Sequence, residues 1–318
     1  MTAPIVVAGE ALYDLVAGAG GKLAGHPGGG PFNTARTIGR LGQPVAFLGR
    51  ISTDGLGRTL EQRLRDDGVD LGGVVATDAA TTLAIADVDP DGVARYHFHL
   101  AGTSVPGLTV QAALAALPAT VGALHVGTLG LVLEPLAAAL EAVVEELAGR
   151  TMVTVDPNCR PEAIDDSDGY RARLDRILAR SHLVKVSEED LAWLRPGAPP
   201  LEAARGLLER GPTVVLLTCG PAGAVAIGAG GAVAVAAPEV RVVDTIGAGD
   251  AFAGGFLAWW HSRGLDRRDL ARHDVVVEAT EFAVAVAALT CERAGASPPS
   301  FLAGAGMLAA AAIGHLPV

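Results

Sequence analysis

Short apolar strands alternate with helix-like stretches along most of this 318-residue chain, and this alternation constrains its fold more than any other feature. ALHVGT, TMVTVD, HLVKVS and TVVLLTC are almost continuously apolar, and stretches with helical periodicity separate them. Strands that are apolar on both sides are typical of a parallel sheet covered by helices on both faces. We therefore expect an α/β fold with a mostly parallel β-sheet flanked by helices on both faces.

Residues 81–100 depart from this pattern. The sequence TTLAIADVDPDGVARYHFHL contains two alternating strands around DPDG, which predicts a hairpin. Its second strand alternates basic or imidazole side chains with aromatic or aliphatic ones, so one face is expected to be exposed. We predict a small β lid formed by about 12–27 and 81–101. Because there is no internal repeat or sharp boundary, the lid is assigned to a single domain, 1–318.

Composition excludes several classes of partner. The net charge is −11 and no basic block is present, so nucleic acid is not an expected partner. The three cysteines lack CxxC spacing, and the N-terminus lacks the basic start of a signal peptide, so we expect a cytoplasmic protein. Residues 212–238 and 294–318 lack charged side chains, but they are rich in Gly, Ala and Val rather than Leu, Ile and Phe. We predict no membrane span in either stretch.

The segment DTIGAGDAFAGG, at 244–255, carries the strongest chemical signal. Gly247 and Gly249 permit unusual backbone angles and close approach of a ligand. A helix is predicted to begin here, and its free N–H groups form an anion site. Asp250 is poorly placed to bind that anion but well placed to take a proton from a hydroxyl that attacks it. Phosphoryl transfer needs this arrangement, and a nucleotide donor implies magnesium. A helix-start Asp without function is the alternative.

No other nucleotide-binding motif in the sequence provides an alternative phosphate-binding site. GxxxxGK[ST] is absent, and GAGMLA near the C-terminus follows no predicted strand.

Several motifs together resemble the PfkB carbohydrate kinase family, which has a ribokinase-like fold. DTIGAGDAFAGGF resembles the C-terminal signature of that family, and HPGGGPFNTARTIGRLG resembles its N-terminal signature. VVLLTCGPAGAVAI resembles the nucleotide-binding strand and turn of the family, and DPNCRP and KVSEEDL lie in the expected order between these motifs. The similarity extends from VAGEALYDL to residues 294–296.

The resemblance implies roles for individual residues. Asp250 would be the catalytic base, and the N–H groups of Gly247, Ala248 and Gly249 would form the anion hole. The implied sugar-binding residues are Asp14, Gly28, Gly29, Asn33 and Arg160, and the implied ATP-site residues are Asn158, Thr218, Gly220 and Gly223. Taken singly, the glycines could form a plain turn, Asn33 a helix cap and Arg160 a solvated strand end.

The metal-linked positions depart from the family pattern. The family often has Asn-x-x-Glu, whereas this chain has Ser187-Glu188-Glu189-Asp190, which leaves Asp190 and Glu189 as alternative carboxylates acting on Mg²⁺. Asp244 is a candidate for a monovalent-cation (K⁺) site, and a capping role is its alternative.

VAGEALYDLV, GGGPFN and DPNCRP resemble the fructokinases within this family. We therefore expect an ATP-dependent kinase that converts fructose to fructose 6-phosphate. The alternative acceptors are 2-keto-3-deoxygluconate, ribose and a nucleoside, and the non-enzymatic alternative is a sugar- or nucleotide-binding regulator. The apolar side of the lid strands suggests a homodimer through the lid, with packing inside one subunit as the alternative.

Overall fold

The computed structural model describes residues 3–17, 23–88 and 94–300. Its strands are β1 (Ile5–Ala8), β2 (Leu12–Ala17), β3 (Leu23–Gly28), β4 (Val45–Ser52), β5 (Val74–Thr77), β6 (Leu83–Val88), β7 (Ala94–His99), β8 (Ala123–Gly127), β9 (Met152–Asp156), β10 (Leu183–Ser187), β11 (Val214–Thr218), β12 (Ala224–Gly228) and β13 (Gly231–Val235). Its helices are α1 (Gly30–Arg40), α2 (Gly55–Asp66), α3 (Val110–Ala115), α4 (Leu136–Leu147), α5 (Ser167–Leu178), α6 (Glu188–Leu194), α7 (Pro200–Leu208), α8 (Ala248–Ser262) and α9 (His273–Cys291).

Within the described residues, nine strands form one large sheet in the order β13-β12-β11-β10-β9-β8-β1-β4-β5. The seven strands between β11 and β5 in this order pair parallel with their neighbours. The β12–β13 hairpin adds two antiparallel strands at the β11 edge. This confirms the predicted mostly parallel sheet. Strand β5 was not predicted, because VVAT is short and follows two glycines, Gly72 and Gly73.

The two faces of the large sheet belong to different helical layers. Alternate strand residues such as Val6, Leu124 and Val153 pack with α3 to α7 in one core cluster. The intervening residues, such as Val7 and Phe47, pack with α1, α2, α8 and α9 in another. Because both faces are covered, the strands of this sheet are mostly apolar, as the sequence shows.

The other described strands form a small sheet in the order β3-β2-β6-β7. The predicted hairpin is present as β6 and β7, and its turn at 89–93 lies outside the described residues. His97 and His99 are exposed, whereas Phe98 and Leu100 are half-buried and pack against the first core cluster. Asp14 lies in register with His26, Ala84 and Phe98, so it shares the face that packs on the body.

No helix among the described residues is long and apolar enough to span a membrane. The uncharged stretch at 212–238 forms β11, β12 and β13 with their turns, as predicted. Of the second uncharged stretch, residues 301–318 lie outside the described part of the chain.

Candidate active site

Polar side chains converge where the strand order reverses. From β1 the chain proceeds outward to β4 and β5 and then returns to β8 on the other side of β1. The crevice beyond the carboxyl ends of such neighbouring strands is where open α/β sheets bind ligands. Glu10 follows β1, and Thr128 follows β8. Asp156 ends β9, so the functional candidates lie along one edge of the sheet.

Asp250 lies in the first turn of α8, which begins after Gly247 in a left-handed conformation (φ 77°). The carboxylate is buried and accepts a hydrogen bond from Asn33 Nδ2 at 2.9 Å. Burial raises the pKa of Asp250, and the Asn33 hydrogen bond and the charges of Lys185 and Arg160 oppose that rise. A raised pKa makes a carboxylate a stronger proton acceptor, as a general base requires.

The other polar atom of the Asn33 amide points to a ligand. Asn33 Oδ1 is buried and accepts no hydrogen bond from any described residue. A buried acceptor without a donor is unfavourable unless a ligand or water supplies one. A substrate hydroxyl beside Asp250 would supply it.

The start of α8 carries the N–H groups that were predicted to form an anion site. Among the described residues, no acceptor meets the N–H groups of Gly247, Gly249 and Asp250, whereas Ala248 N–H donates to the Thr245 carbonyl at 3.2 Å. The free N–H groups and the helix dipole together favour an anion here.

A buried ion pair lies behind this helix start. Lys185 Nζ is 3.0 Å from Asp156 Oδ2, and a β-carbon on Gly249 would lie 3.1 Å from the same ammonium. Burial lowers the pKa of Lys185, but the nearby carboxylates of Asp156, Asp190 and Asp250 outweigh it and leave the pKa raised. Lys185 is therefore a fixed cation against the predicted phosphoryl site.

The predicted sugar-binding residues Asp14, in β2, and Gly28 and Gly29, at and directly after the end of β3, lie close together. A β-carbon on Gly28 would lie only 1.8 Å from Asp14 Oδ2, so glycine is required for Asp14 to occupy this position. Gly29 has a φ of 108°, and a β-carbon there would lie 2.7 Å from the Glu10 carbonyl. The pKa of Asp14 is raised to about 6, chiefly by burial and also by the charge of Asp250, while the charge of Arg160 opposes the rise.

Asn158 and Arg160 form a compact turn after β9. Arg160 Nη1 donates to Asn158 Oδ1 at 2.7 Å, and Asn158 Nδ2 donates to Thr128 Oγ1 at 3.3 Å. The charge of Arg160 reaches both Asp14 and Asp250. The structure thus places Asn158 in contact with Thr128, which follows β8, as well as next to the β9 end.

Glu10 lies beneath these loops with 1% of its surface exposed. Its Oε1 accepts from Gly30 N and its Oε2 from Gly130 N, both at 3.1 Å. The pKa of Glu10 is raised to about 8, chiefly by burial and also by the charge of Asp250, while the hydrogen bonds from backbone N–H groups oppose the rise. The carboxyl therefore joins the start of α1 to the loop after β8.

The predicted ATP residues lie farther along the sheet edge. Thr218 ends β11, and its hydroxyl donates to the Val186 carbonyl at 3.3 Å. Gly220 (φ 53°) and Gly223 (φ 97°) shape the turn into β12. A β-carbon on Gly223 would lie 2.1 Å from the Val235 carbonyl, so only glycine fits this turn.

The carboxylates proposed for metals have different surroundings. Asp190 Oδ1 accepts from Cys159 N, and Oδ2 accepts from the backbone N–H and the hydroxyl of Ser187, so both oxygens are engaged. Glu189 is exposed. Asp244 accepts from Ile246 N and Gly295 N.

Four residues of this site had no assigned role in the sequence reasoning: Glu10, Thr128, Asp156 and Lys185. Glu10, Asp156 and Lys185 each place a charge within or directly after an apolar strand pattern, which is a readable signal. Thr128 gives no such signal, because the direction of its side chain depends on a left-handed backbone conformation that the sequence does not reveal.

Comparisons with known proteins identify the family of the chain. The family described as "pfkB family carbohydrate kinase" matches residues 3–301 of this chain. A fructokinase from Rhizobium leguminosarum bv. trifolii is 36% identical over 258 residues, which cover 80% of this chain and 78% of that protein.

Solved structures of relatives share the fold. Fructokinase from Vibrio cholerae O395 in a fructose-, ADP- and calcium-bound form has a TM-score of 0.85 and 26% identity, covering 96% of this chain and 99% of its own. A double mutant of that protein with fructose, ADP and potassium bound has a TM-score of 0.85 and 25% identity, covering 96% of this chain and 98% of its own. Aminoimidazole riboside kinase from Salmonella enterica has a TM-score of 0.80 and 26% identity, covering 96% and 99%. The fold is therefore ribokinase-like, and the chain belongs to the pfkB family of carbohydrate kinases.

Proposed function

We propose that this protein is an ATP-dependent fructose kinase that transfers the γ-phosphoryl group of ATP to a primary hydroxyl, giving fructose 6-phosphate. The observation that carries the proposal is Asp250, a buried carboxylate with a raised pKa at the free N-terminus of α8 and in contact with Asn33. A base and an anion site on the same helical turn are what phosphoryl transfer to an alcohol requires.

Fructose is favoured as the acceptor by the relatives. The Rhizobium relative is named a fructokinase, and the Vibrio cholerae structures hold fructose together with ADP. The Salmonella relative acts on a riboside at similar structural distance, so a nucleoside or ribose is the second candidate. Ketodeoxygluconate remains the third, on sequence resemblance alone.

Different residues bind the sugar, accept the proton and stabilise the phosphoryl group in this proposal. Asp14, Gly28, Gly29 and Asn33 hold the sugar, and the Asn33 amide keeps Asp250 oriented toward the reacting hydroxyl. Asp250 accepts the proton of that hydroxyl as the oxygen attacks the γ-phosphorus. The free N–H groups of the α8 start and the Lys185 ammonium stabilise the charge of the moving phosphoryl group. Arg160 lies near both carboxylates and serves the sugar or the phosphate.

ATP binds along the sheet edge at Asn158, Thr218, Gly220 and Gly223. Mg²⁺ would neutralise the charge of the phosphates when bound with ATP. Asp156 fits such a cation, because its Oδ1 is buried and has no hydrogen-bond partner among the described residues. Both oxygens of Asp190 are already engaged, so Asp190 and Glu189 would act on the cation through water. Asp244 is retained as the candidate for K⁺.

The small sheet acts as a lid over the sugar in this proposal, and its closure excludes water from ATP. Single-domain organisation and a cytoplasmic location are proposed with it. Packing of Phe98 and Leu100 on the body favours an intramolecular role for that face of the lid. A homodimer would then use the opposite face, and light scattering at working concentration distinguishes dimer from monomer.

The test combines an acceptor panel with a variant of the base. ADP release is measured with Mg-ATP and fructose, ribose, 2-keto-3-deoxygluconate, adenosine and inosine. We expect fructose to be preferred, and we expect Asp250→Asn to lower kcat by about 10²–10⁴-fold while ATP binding persists. Asp274→Asn is the matched control, because Asp274 lies in the first turn of α9 and is exposed. Parent-like turnover by Asp250→Asn would refute the base, and ATP binding without turnover of any sugar would favour the regulator.

A further inference from the structure

Thr128, directly after β8, has a backbone conformation that needs an explanation. Its φ is 52°, in the left-handed region. For a β-branched residue this conformation is a true outlier and costs free energy. Asn158, at the end of the neighbouring strand β9, is also left-handed (φ 37°) and donates a hydrogen bond to the Thr128 hydroxyl. Strained residues of this kind cluster at functional sites.

The surroundings hold this conformation in place. The Gly130 N–H, two residues after Thr128, donates to the buried carboxyl of Glu10 at 3.1 Å. A β-carbon on Gly127, which precedes Thr128, would lie 2.1 Å from the Asp156 carbonyl, so the turn approaches β9 as closely as glycine permits. The loop is thus fixed from both sides, and the fold sustains the strain rather than relaxing it.

This conformation directs the hydroxyl toward the reacting groups. A β-carbon on Gly30 would lie 2.4 Å from Thr128 Oγ1 and 3.3 Å from Asp250 Oδ1, so both oxygens face the same small space. Thr128 is 7% exposed. Its oxygen accepts from Asn158, but its own proton has no acceptor among the described residues. Asn33 Oδ1, on the same side, is a buried acceptor without a donor.

We propose that Thr128 is an acceptor-recognition residue, which donates its hydroxyl proton to an oxygen of the sugar other than the one that is phosphorylated. An unused donor (Thr128), an unused acceptor (Asn33) and a base (Asp250) then surround a polyol with complementary groups. A site built to hydrogen-bond a hydroxyl discriminates strongly against an analogue that lacks it. This inference rests on the proposed sugar kinase function but not on fructose being the acceptor.

The test is a cycle between variants of Thr128 and monodeoxy sugars. Thr128→Val keeps the shape and removes the hydroxyl, and Thr128→Ser keeps the hydroxyl and removes the β-branch. Each is assayed with the sugar that the parent phosphorylates fastest and with its monodeoxy analogues. Thr280→Val is the matched control, because Thr280 is buried but bonds only within α9, to the Val276 carbonyl.

We expect Thr128→Val to lower kcat/KM for the sugar by about 5- to 50-fold, with KM for ATP changed less than about twofold. The parent and Thr128→Ser should reject one deoxy analogue by about tenfold, and Thr128→Val should no longer reject it. Unchanged rejection of every analogue by a folded Thr128→Val would overturn the proposal, as would equal losses on all sugars and on ATP. Thermal unfolding of all variants separates these results from loss of fold. Absence of turnover by the parent on every sugar would refute the kinase function itself, and with it this inference.

Discussion

Replacing Glu10 by Gln tests whether the buried carboxyl under the site holds a proton. Glu10 is 1% exposed, accepts from Gly30 and Gly130, and has its pKa raised from 4.5 to about 8, chiefly by burial. In the unfolded chain the group loses its proton near its ordinary pKa. Between about pH 4.5 and 8, folding therefore takes up a proton.

The sign and size of the effect follow from this shift. A carboxyl with a raised pKa stabilises the fold fully below its unfolded pKa, and that contribution is lost as the pH rises through the folded value. Each pKa unit corresponds to about 1.4 kcal/mol, so the shift of Glu10 sets an upper limit of about 5 kcal/mol lost between pH 4.5 and 8. Glutamine does not titrate, but it can offer only one acceptor to two N–H donors, which costs about 1–3 kcal/mol at every pH.

The assay is urea unfolding of parent and Glu10→Gln at intervals from pH 5 to 9. We expect the parent to be the more stable at pH 5 and its advantage to shrink by up to about 4 kcal/mol by pH 9. Glu278→Gln, an exposed change on α9, serves as the control and should track the parent at all pH values. A constant difference between parent and Glu10→Gln over this range would refute the conclusion that Glu10 is protonated near neutral pH.

Three further changes test other parts of the structure. Gly28→Ala should displace the Asp14 carboxylate, because the new β-carbon would lie 1.8 Å from Oδ2. We expect KM for the sugar to rise about 10-fold or more with little change in stability. The control Gly206→Ala should change neither KM nor stability, because nothing lies within 4 Å of a β-carbon there. Asp67→Asn leaves the Arg36 guanidinium buried without its ionic partner and should lower the free energy of unfolding by about 3–5 kcal/mol in urea titrations; an effect no larger than that of an exposed change would contradict a buried ion pair. Sugar binding measured by calorimetry without ATP should weaken as the pH falls below about 6, because the raised pKa of Asp14 then leaves it protonated; binding that is flat from pH 5 to 8 would show that its charge is not needed.

The periodicity of the chain was sufficient for the fold class because it reports burial directly. Strands such as β8, β9 and β10 are buried on both faces, and sequence patterns show this. The edge strand β5 was not predicted, because its side chains are mostly only half-buried and its sequence has no alternation of apolar and polar residues. The four-stranded arrangement of the small sheet likewise depends on which strands pair, and pairing is a long-range property.

The sequence also predicted the candidate residues that lie inside a local motif. Gly247 and Asp250 were assigned their roles from a predicted helix start, which neighbouring residues alone determine, and the structure places both at the start of α8. Asn33 is different: its motif was visible, but its hydrogen bond to Asp250 joins residues 217 positions apart and exists only because α1 and α8 pack against each other.

Local sequence patterns were therefore enough to predict the parallel α/β sheet, which the structure confirms, and to predict an anion site at a helix start with a base beside it. Three other features could be seen only in the folded chain: Lys185 lies behind the start of α8, Glu10 is buried between two loops, and Thr128 adopts a left-handed conformation facing Asp250. These outcomes depend on burial, on close approach at glycine and on the desolvation of charges. Each of these arises only when distant strand ends meet at one edge of the sheet.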